Sequence, residues 1–515
     1  MSAAYSMEAG ACEPFAAAHE QAEAMERHLR SAEAMASTHS QLETYVRREG
    51  REYERRLLQA HLDLRAATEH PVMLLAADGV RRSYQRASRR PLGTIFGAVE
   101  VKRLAYQGPG AQGLHPLDAA LNLPEELYSH GVRRLVAEHA ARSSFNEVQS
   151  VLAEHTGKPV GKRQVEELAI RSARDFAAFY ASRTTEAEAG SELLVMSFDG
   201  AGIIMRPEDL RPATKKAAAG ATRKLATRLT RGEKRNRKRM AEVAAIYSVA
   251  PFPRAVTDVM HDLRPAGEVK LKRPRPKNKR VSASVDLSAA QVIRQTFDEA
   301  LRRDPKQQRR WVALVDGNRE QIAIIRKAAK ERSASVILML DLMHVLEYLW
   351  GAAHAFEADG SKEAEAWVEQ RLLGLLSGRS AGYLAKGMRT LTKRRGLSAK
   401  AQKPVDDCAK YLVNNRQLLH YERALQEGLP IATGVIEGAC RYIVRDRMDR
   451  TGARWSLDGA EAVLQLRALW TNGDFDDYWA FHLEREHQRN HRSRYADGSV
   501  PCPLRASKPT LKRVK

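Results

Sequence analysis

Two periods of hydrophobic positions run along this chain, and the place where one gives way to the other divides it. Residues 16–66 carry Ala, Leu and charged side chains at helical spacing with few β-formers, and predict a charged helical arm broken near Gly50. From 71 to 107 the pattern shortens. "GTIFGAVEVKRLAY" alternates and predicts a β-hairpin, with the basic "RRSYQRASRR" before it and the Pro/Gly-rich "QGPGAQGLHPLD" after it as a connector. Three short helices are then expected, in "GVRRLVAEHAAR", "SFNEVQSVLAEHTG" and "GKRQVEELAIRSARDFAAFY". Ser144 and Glu147 have capping-box spacing, and Gly157 is a stop. From 191 β-branched runs alternate with amphipathic helices. "ELLVMSFDGAGIIM" predicts a strand and turn running into a second strand. "AEVAAIYSVA", "WVALVDG" and "SVILMLD" predict further strands, with helices in "SAAQVIRQTFDEALRRD" and "NREQIAIIRKAAKER". That order is a mixed sheet with helical crossovers, an α/β core. A nearly all-helical stretch spans 342 to about 428, and two more helical segments follow, "ATGVIEGACRYIVRDRMDR" and "LDGAEAVLQLRALW".

Charge changes the picture. Lys and Arg outnumber Asp and Glu by 85 to 63, a formal net charge of +22. The excess is clustered: thirteen basic residues against three acids over 206–240, and eight against one over 264–280. These stretches read as exposed basic insertions, and such clustering points to a polyanionic partner. Under that reading the helical trio becomes a helix-turn-helix, with Lys162, Arg163 and Gln164 at the start of its third helix facing base edges; an ordinary three-helix packing unit has the same pattern. Four separated cysteines with no CxxC signal neither a zinc ribbon nor a disulfide framework and fit a reducing cytoplasm. No apolar run approaches the ~20 residues that span a bilayer, and "MSAAYSMEAGACEPF" does not resemble a secretory leader.

Candidate chemistry lies in carboxylates. Asp199 in "SFDGAGI" and Asp316 in "LVDGNRE" each close an apolar run with Asp-Gly. Strand ends are where open sheets place ligands, although Asp-Gly is equally a turn signal. Two aspartates on neighbouring strands suit one or two Mg²⁺ ions, because hard cations take oxygen ligands. A two-ion centre for phosphoryl displacement needs a third carboxylate, for which Glu437 is the candidate. In a helix, Ile436, Cys440, Ile443 and Arg447 form its buried stripe and Glu437 sits at the rim; pairing with Arg441 at i, i+4 is the rival role. Asp341 ends a third apolar run, with His344 and Tyr348 on the same helix face, and an N-cap and a structural histidine are the rival roles.

Together, "SFDGAGI…VALVDGN…LDLMHVLEYLW…GVIEGACRYIVRDRMDRTGARWS" resembles the transposases of ISKra-type bacterial insertion sequences, DDE enzymes distantly akin to the Mutator-like group. The likeness runs from about 90 to 490 and includes "PLDAALNLPEELYS". It implies a ribonuclease-H-like α/β core with a mixed five-stranded sheet, interrupted by an α-helical insertion before the last acid. It assigns Asp199, Asp316 and Glu437 as the catalytic, metal-holding triad for two Mg²⁺ or Mn²⁺ ions. It gives supporting roles to Asp341 and His344, phosphate contacts to Arg441, Arg445 and Arg450, and makes Trp455 a residue that stacks on an unpaired base or anchors the core. A cysteine pair found in some relatives near the N-terminal strands is missing.

The expected organisation is a helical arm (1–70), a small β-rich region and connector (71–127), a helix-turn-helix DNA-binding region (128–190), the first part of the core with basic insertions at 206–240 and 264–281 (191–345), an α-helical insertion (346–430), closing helices of the core (431–480) and a basic C-terminal tail (481–515). The implied activity is metal-dependent cleavage and strand transfer of double-stranded DNA, at terminal inverted repeats and a target. A homodimer or larger assembly in the bacterial cytoplasm would carry it out, associated with the nucleoid and not with a membrane. The alternatives are a catalytically idle or domesticated DNA-binding regulator and a nuclease acting on RNA–DNA hybrids.

Overall fold

The computed structural model describes residues 13–183, 192–220, 237–263, 272–432, 434–450 and 452–504. The chain divides into two compact units, Met1–Ala181 with Asp474–Lys515, and Ser182–Gly473.

In the first unit the arm consists of helices Ala16–Leu29 and His39–Thr68 with a short turn of helix between them. The break expected at Gly50 falls instead at 30–38, because Ser31 caps the short turn and Thr38 with Gln41 forms a capping box. Two caps outweigh the ~1 kcal/mol that one mid-helix Gly costs. The hairpin is longer than expected. β1 (Tyr84–Thr94) takes in most of the basic stretch, β2 (Gly97–Gly108) pairs with it from Tyr84↔Gln107 to Thr94↔Gly97, and β3 (Ala111–Leu114) uses part of the supposed connector. The helical trio is present as His130–Ala140, Phe145–Thr156 and Lys162–Ala173, with the Ser144–Glu147 capping box formed and Gly157 left-handed at φ +71°. The helix Phe475–Asn490 belongs to this unit, so 481–515 does not begin as a tail: His482 and Glu486 are buried.

The second unit holds a five-stranded mixed sheet in the order β6-β5-β4-β7-β8. β4 (Leu193–Ile204), β5 (Lys238–Val249) and β6 (Lys277–Ser284) form an antiparallel meander, and β7 (Trp311–Val315) and β8 (Val336–Leu340) run parallel to β4. Helices Ala289–Arg303 and Arg319–Glu331 connect β6 to β7 and β7 to β8. β7 is buried along its whole length, as a parallel strand between two neighbours and two covered faces requires. The basic insertions are shorter than expected, since 238–240 lie in β5 and 277–281 in β6; residues 221–236 and 264–271 lie outside the described residues. Helices Leu342–Ala353, Lys362–Leu376, Ala381–Arg394 and Ala399–Asn414 build the all-helical stretch, and their apolar faces join one continuous core with the sheet. Gly434–Ala439 continues through a π-helical segment, Cys440–Arg445, before Leu457–Asn472 closes the unit. Among the described residues no helix is long and apolar enough to cross a membrane.

Candidate functional site

Asp199 does not end a strand. β4 continues through it to Ile204, paired with β5 at Asp199↔Val243 and Gly200↔Glu242. The first six residues of β4 are buried, and the burial opens at Asp199. Asp316 does follow the end of its strand, and Asp341 follows the end of β8. The registers align them. Ser197 pairs with Leu314, and Leu314 with Met339, so two residues further on Asp199, Asp316 and Asp341 stand at one level. The Asp341 amide still donates to the Val315 carbonyl at 2.9 Å, which carries the β7–β8 pairing to that level. Neighbouring strands lie about 4.8 Å apart, so Asp199 and Asp316 start from adjacent backbone positions.

Glu437 arrives from above. Its helix lies over β4 and β5, and one turn later the Cys440 thiol donates to Asp199 Oδ2 at 3.2 Å. Glu437 and Cys440 are i, i+3 neighbours on the same side of the chain. Ile436, Cys440, Ile443 and Arg447 are buried, as the stripe predicts, and Glu437 is exposed at its rim. Burial pushes the Cys440 thiol far above its ordinary value, and the charges of Asp199 and then Glu437 push it further. Cys440 is therefore a neutral donor to the aspartate and not a thiolate. The sequence places it only on the buried stripe, and a Cys there gives no signal beyond packing.

The remaining contacts of the acids are local. Asp199 Oδ1 accepts from the Gly200 amide at 2.6 Å, and Asp316 Oδ1 from the Asn318 amide at 2.8 Å. Glu437 does not pair with Arg441, whose nearest acid is Asp446 at 3.9 Å. Among the described residues none of Asp199, Asp316 and Glu437 is in an ion pair, although the chain carries a net charge of +22. Three uncompensated carboxylates form a hard-oxygen donor set of the kind that divalent cations take. They are not packed around a point: among the described residues, the group of three acidic or His ligand atoms lying within 4.8 Å of one another is a different one. Like charges brought closer without a cation would repel, and two ions about 3.5–4 Å apart span a wider donor set than one ion does.

That other group is Asp175, His482 and Glu486, in the first unit, with spacing that could hold a metal ion. Arginines already occupy it. His482 Nδ1 meets Asp175 at 2.8 Å and Nε2 faces Arg133 at 3.1 Å, while Glu486 bonds Arg133 at 2.6 Å and Arg489 bonds both acids.

The supporting residues fall as follows. Asp341 is buried and caps its helix through Met343 N at 2.9 Å. His344 is half-buried on the same helix, 3.6 Å from Glu347. Arg441, Arg445 and Arg450 are exposed around the π-helical segment. Of the two roles expected for Trp455, its surroundings fit the core anchor: it is 5% exposed, its Nε1 donates to Met448 O at 3.1 Å, and Arg447 covers its ring at 4.7 Å. It anchors the core and has no free face for a base. In the first unit Lys162, Arg163 and Gln164 are exposed at a helix start; Arg163 pairs with Glu167 at 3.0 Å, and Gln164 accepts from Gly161 N and Tyr128. Compared with protein-family models and with curated proteins, the sequence shows no match.

Proposed function

We propose that the second unit is a ribonuclease-H-like phosphotransferase core and that the protein is a DDE transposase, acting on DNA through Asp199, Asp316 and Glu437. The observation that carries this reading is that Asp199 and Asp316 stand at one level on adjacent strands, that the Glu437 helix meets Asp199 through Cys440, and that among the described residues none of the three acids is in an ion pair in a strongly basic chain. The mixed five-stranded sheet, with an antiparallel meander and two parallel strands, supports such a core, and the helical stretch before Glu437 fits the expected insertion. Asp199, Asp316 and Glu437 would hold Mg²⁺ or Mn²⁺; bound ions would supply charge neutralisation at the phosphate and a more acidic water. Cys440 holds Asp199 in place by a hydrogen bond from its thiol. Among the described residues Arg441 and Arg445 stand exposed close by, suited to backbone phosphates, which add affinity and salt dependence but little sequence choice. The helical trio, with Lys162, Arg163 and Gln164 exposed, is suited to duplex DNA at the terminal repeats. Strand transfer joins two ends, so a dimer or larger assembly is part of the proposal.

The test is purified protein with duplexes carrying the inverted repeats that flank its coding sequence, with Mg²⁺ or Mn²⁺. Cleavage and joining are expected, and loss of both in Asp199→Ala, Asp316→Ala and Glu437→Ala with DNA binding retained. Full strand transfer by Asp199→Ala would sink the assignment. Repeat binding with no cleavage under any divalent ion would favour a DNA-binding regulator instead.

A further inference from the structure

The helical stretch 342–428 touches the backbone beside the candidate acids through two tyrosines. Tyr411, on Ala399–Asn414, donates its hydroxyl to the carbonyl of Asp316 itself at 2.8 Å. Tyr421 donates to the carbonyl of Leu340, the residue before Asp341, at 2.9 Å. The two carbonyls lie at the ends of adjacent parallel strands.

The Tyr411 contact is close and shaped. Gly317 follows Asp316 with φ +91°, and a Cβ there would sit 2.9 Å from Tyr411 Cε2 and 2.8 Å from Asn415 Nδ2. The turn that aims Asp316 is therefore pressed against this helix and needs a glycine on both counts. Tyr411 is itself held. Its ring stacks on Tyr348 with centroids 3.9 Å apart and planes 14° apart, and its carbonyl accepts from Asn415 Nδ2 at 3.0 Å.

We propose that Tyr411 is a positioning residue for Asp316, and that its own helix, Ala399–Asn414, is part of the active centre. The hydroxyl fixes the Asp316 peptide and the ring fixes the Gly317 turn, which together set the direction of the carboxylate. This rests on the reading of Asp316 as a metal-holding residue.

The experiment compares full-length Tyr411→Phe with wild type and with Tyr421→Phe. Three readouts are needed: Mn²⁺ dependence and kcat and KM of repeat cleavage, hydrogen exchange of the peptide over 312–321, and thermal unfolding. Losing one neutral hydrogen bond that aims a ligand should raise the Mn²⁺ concentration for half-maximal rate up to about tenfold. KM for DNA and the melting temperature should hold, and exchange at Gly317 and Asn318 should quicken. Tyr421→Phe should lower the melting temperature and leave the Mn²⁺ dependence in place. Wild-type metal dependence and exchange in Tyr411→Phe would overturn the proposal, as would equal metal shifts in both variants. Absence of cleavage by wild type would instead defeat the transposase reading, and the exchange arm would still decide whether Tyr411 holds the turn.

Discussion

Trp455→Ala separates a structural tryptophan from a base-stacking one. The side chain is 5% exposed and lies where the loop after Arg450 bridges to the end of β4, with Trp455 N donating to Ile204 O at 3.1 Å and Arg206 N donating to Trp455 O at 2.8 Å. A buried tryptophan removes roughly 150–250 Å² from water, about 4–6 kcal/mol at ~25 cal/mol/Å². Partial collapse around the cavity brings the usual cost of such truncations to about 3–5 kcal/mol. The Met448 carbonyl also loses its donor, about 1 kcal/mol within that range. A chain of two compact units need not melt in one two-state step, so the assay is native-state hydrogen exchange of the β4 peptide over 193–204, which reports opening at this strand. Trp455→Ala should lower that opening free energy by about 3–5 kcal/mol, and Trp455→Phe by about 1–2 kcal/mol because the ring survives. A stacking tryptophan predicts the opposite: unchanged exchange, with a loss of about 1–3 kcal/mol in DNA affinity that Phe restores. That second pattern would refute the structural assignment.

Three further outcomes are expected. Glu299 is buried; burial works against its charge, but Arg280 and Arg303, with a bond from Arg302, overcome it and hold the carboxyl at about 2 against an ordinary 4.5. A depressed carboxylate stabilises above its unfolded value and loses that contribution as pH falls from 4.5 to about 2, so Glu299→Gln should cost on the order of 3 kcal/mol at neutral pH and flatten that acid limb in pH-dependent denaturation. Among the described cysteines, iodoacetamide should modify exposed Cys502 well before Cys408 and Cys440, which are buried with their thiols pushed up; peptide mass mapping that finds Cys440 modified first would contradict the neutral-donor role. Zn²⁺ or a chelator should leave the melting of the first unit unchanged, because arginines already fill the Asp175–His482–Glu486 cluster, whereas a stabilisation of several degrees by Zn²⁺ would show a true metal site.

The sequence made the strands β7 and β8, their crossover helices and the buried stripe of the Glu437 segment legible, because each is a long run with one period. It misread the "SFDGAGI" run for a reason that lies outside the run. Asp-Gly normally turns, yet Gly200 and Gly202 continue β4 because side chains of β5 cross over them: a Cβ at Gly200 would meet Met240 Cε at 2.9 Å, and one at Gly202 would meet Lys238 Cδ at 2.8 Å. Strand β6 was hidden likewise, since its Lys- and Arg-rich start reads as a solvated insertion until its pairing with β5 is known. Trp455 could not be assigned from its neighbours, because its hydrogen bond and its covering arginine depend on how 447–455 folds back. The level shared by Asp199, Asp316 and Asp341 follows from two strand registers, which no local pattern encodes.

The first unit is assembled from both ends of the polypeptide, and this orders its birth. Arg133, 1% exposed among the early helices, is neutralised by Glu126 and by Glu486; Ser172 O and Leu123 O receive their donors from Tyr478 and His491. During synthesis Glu486 leaves the ribosome 353 residues after Arg133. Until then the early helices carry a half-neutralised guanidinium and an open seat for Phe475, Tyr478 and Trp479, while the whole sheet unit has already emerged. A chain released after residue 473 would thus contain every residue of the sheet unit and an incomplete first unit, a natural substrate for chaperones.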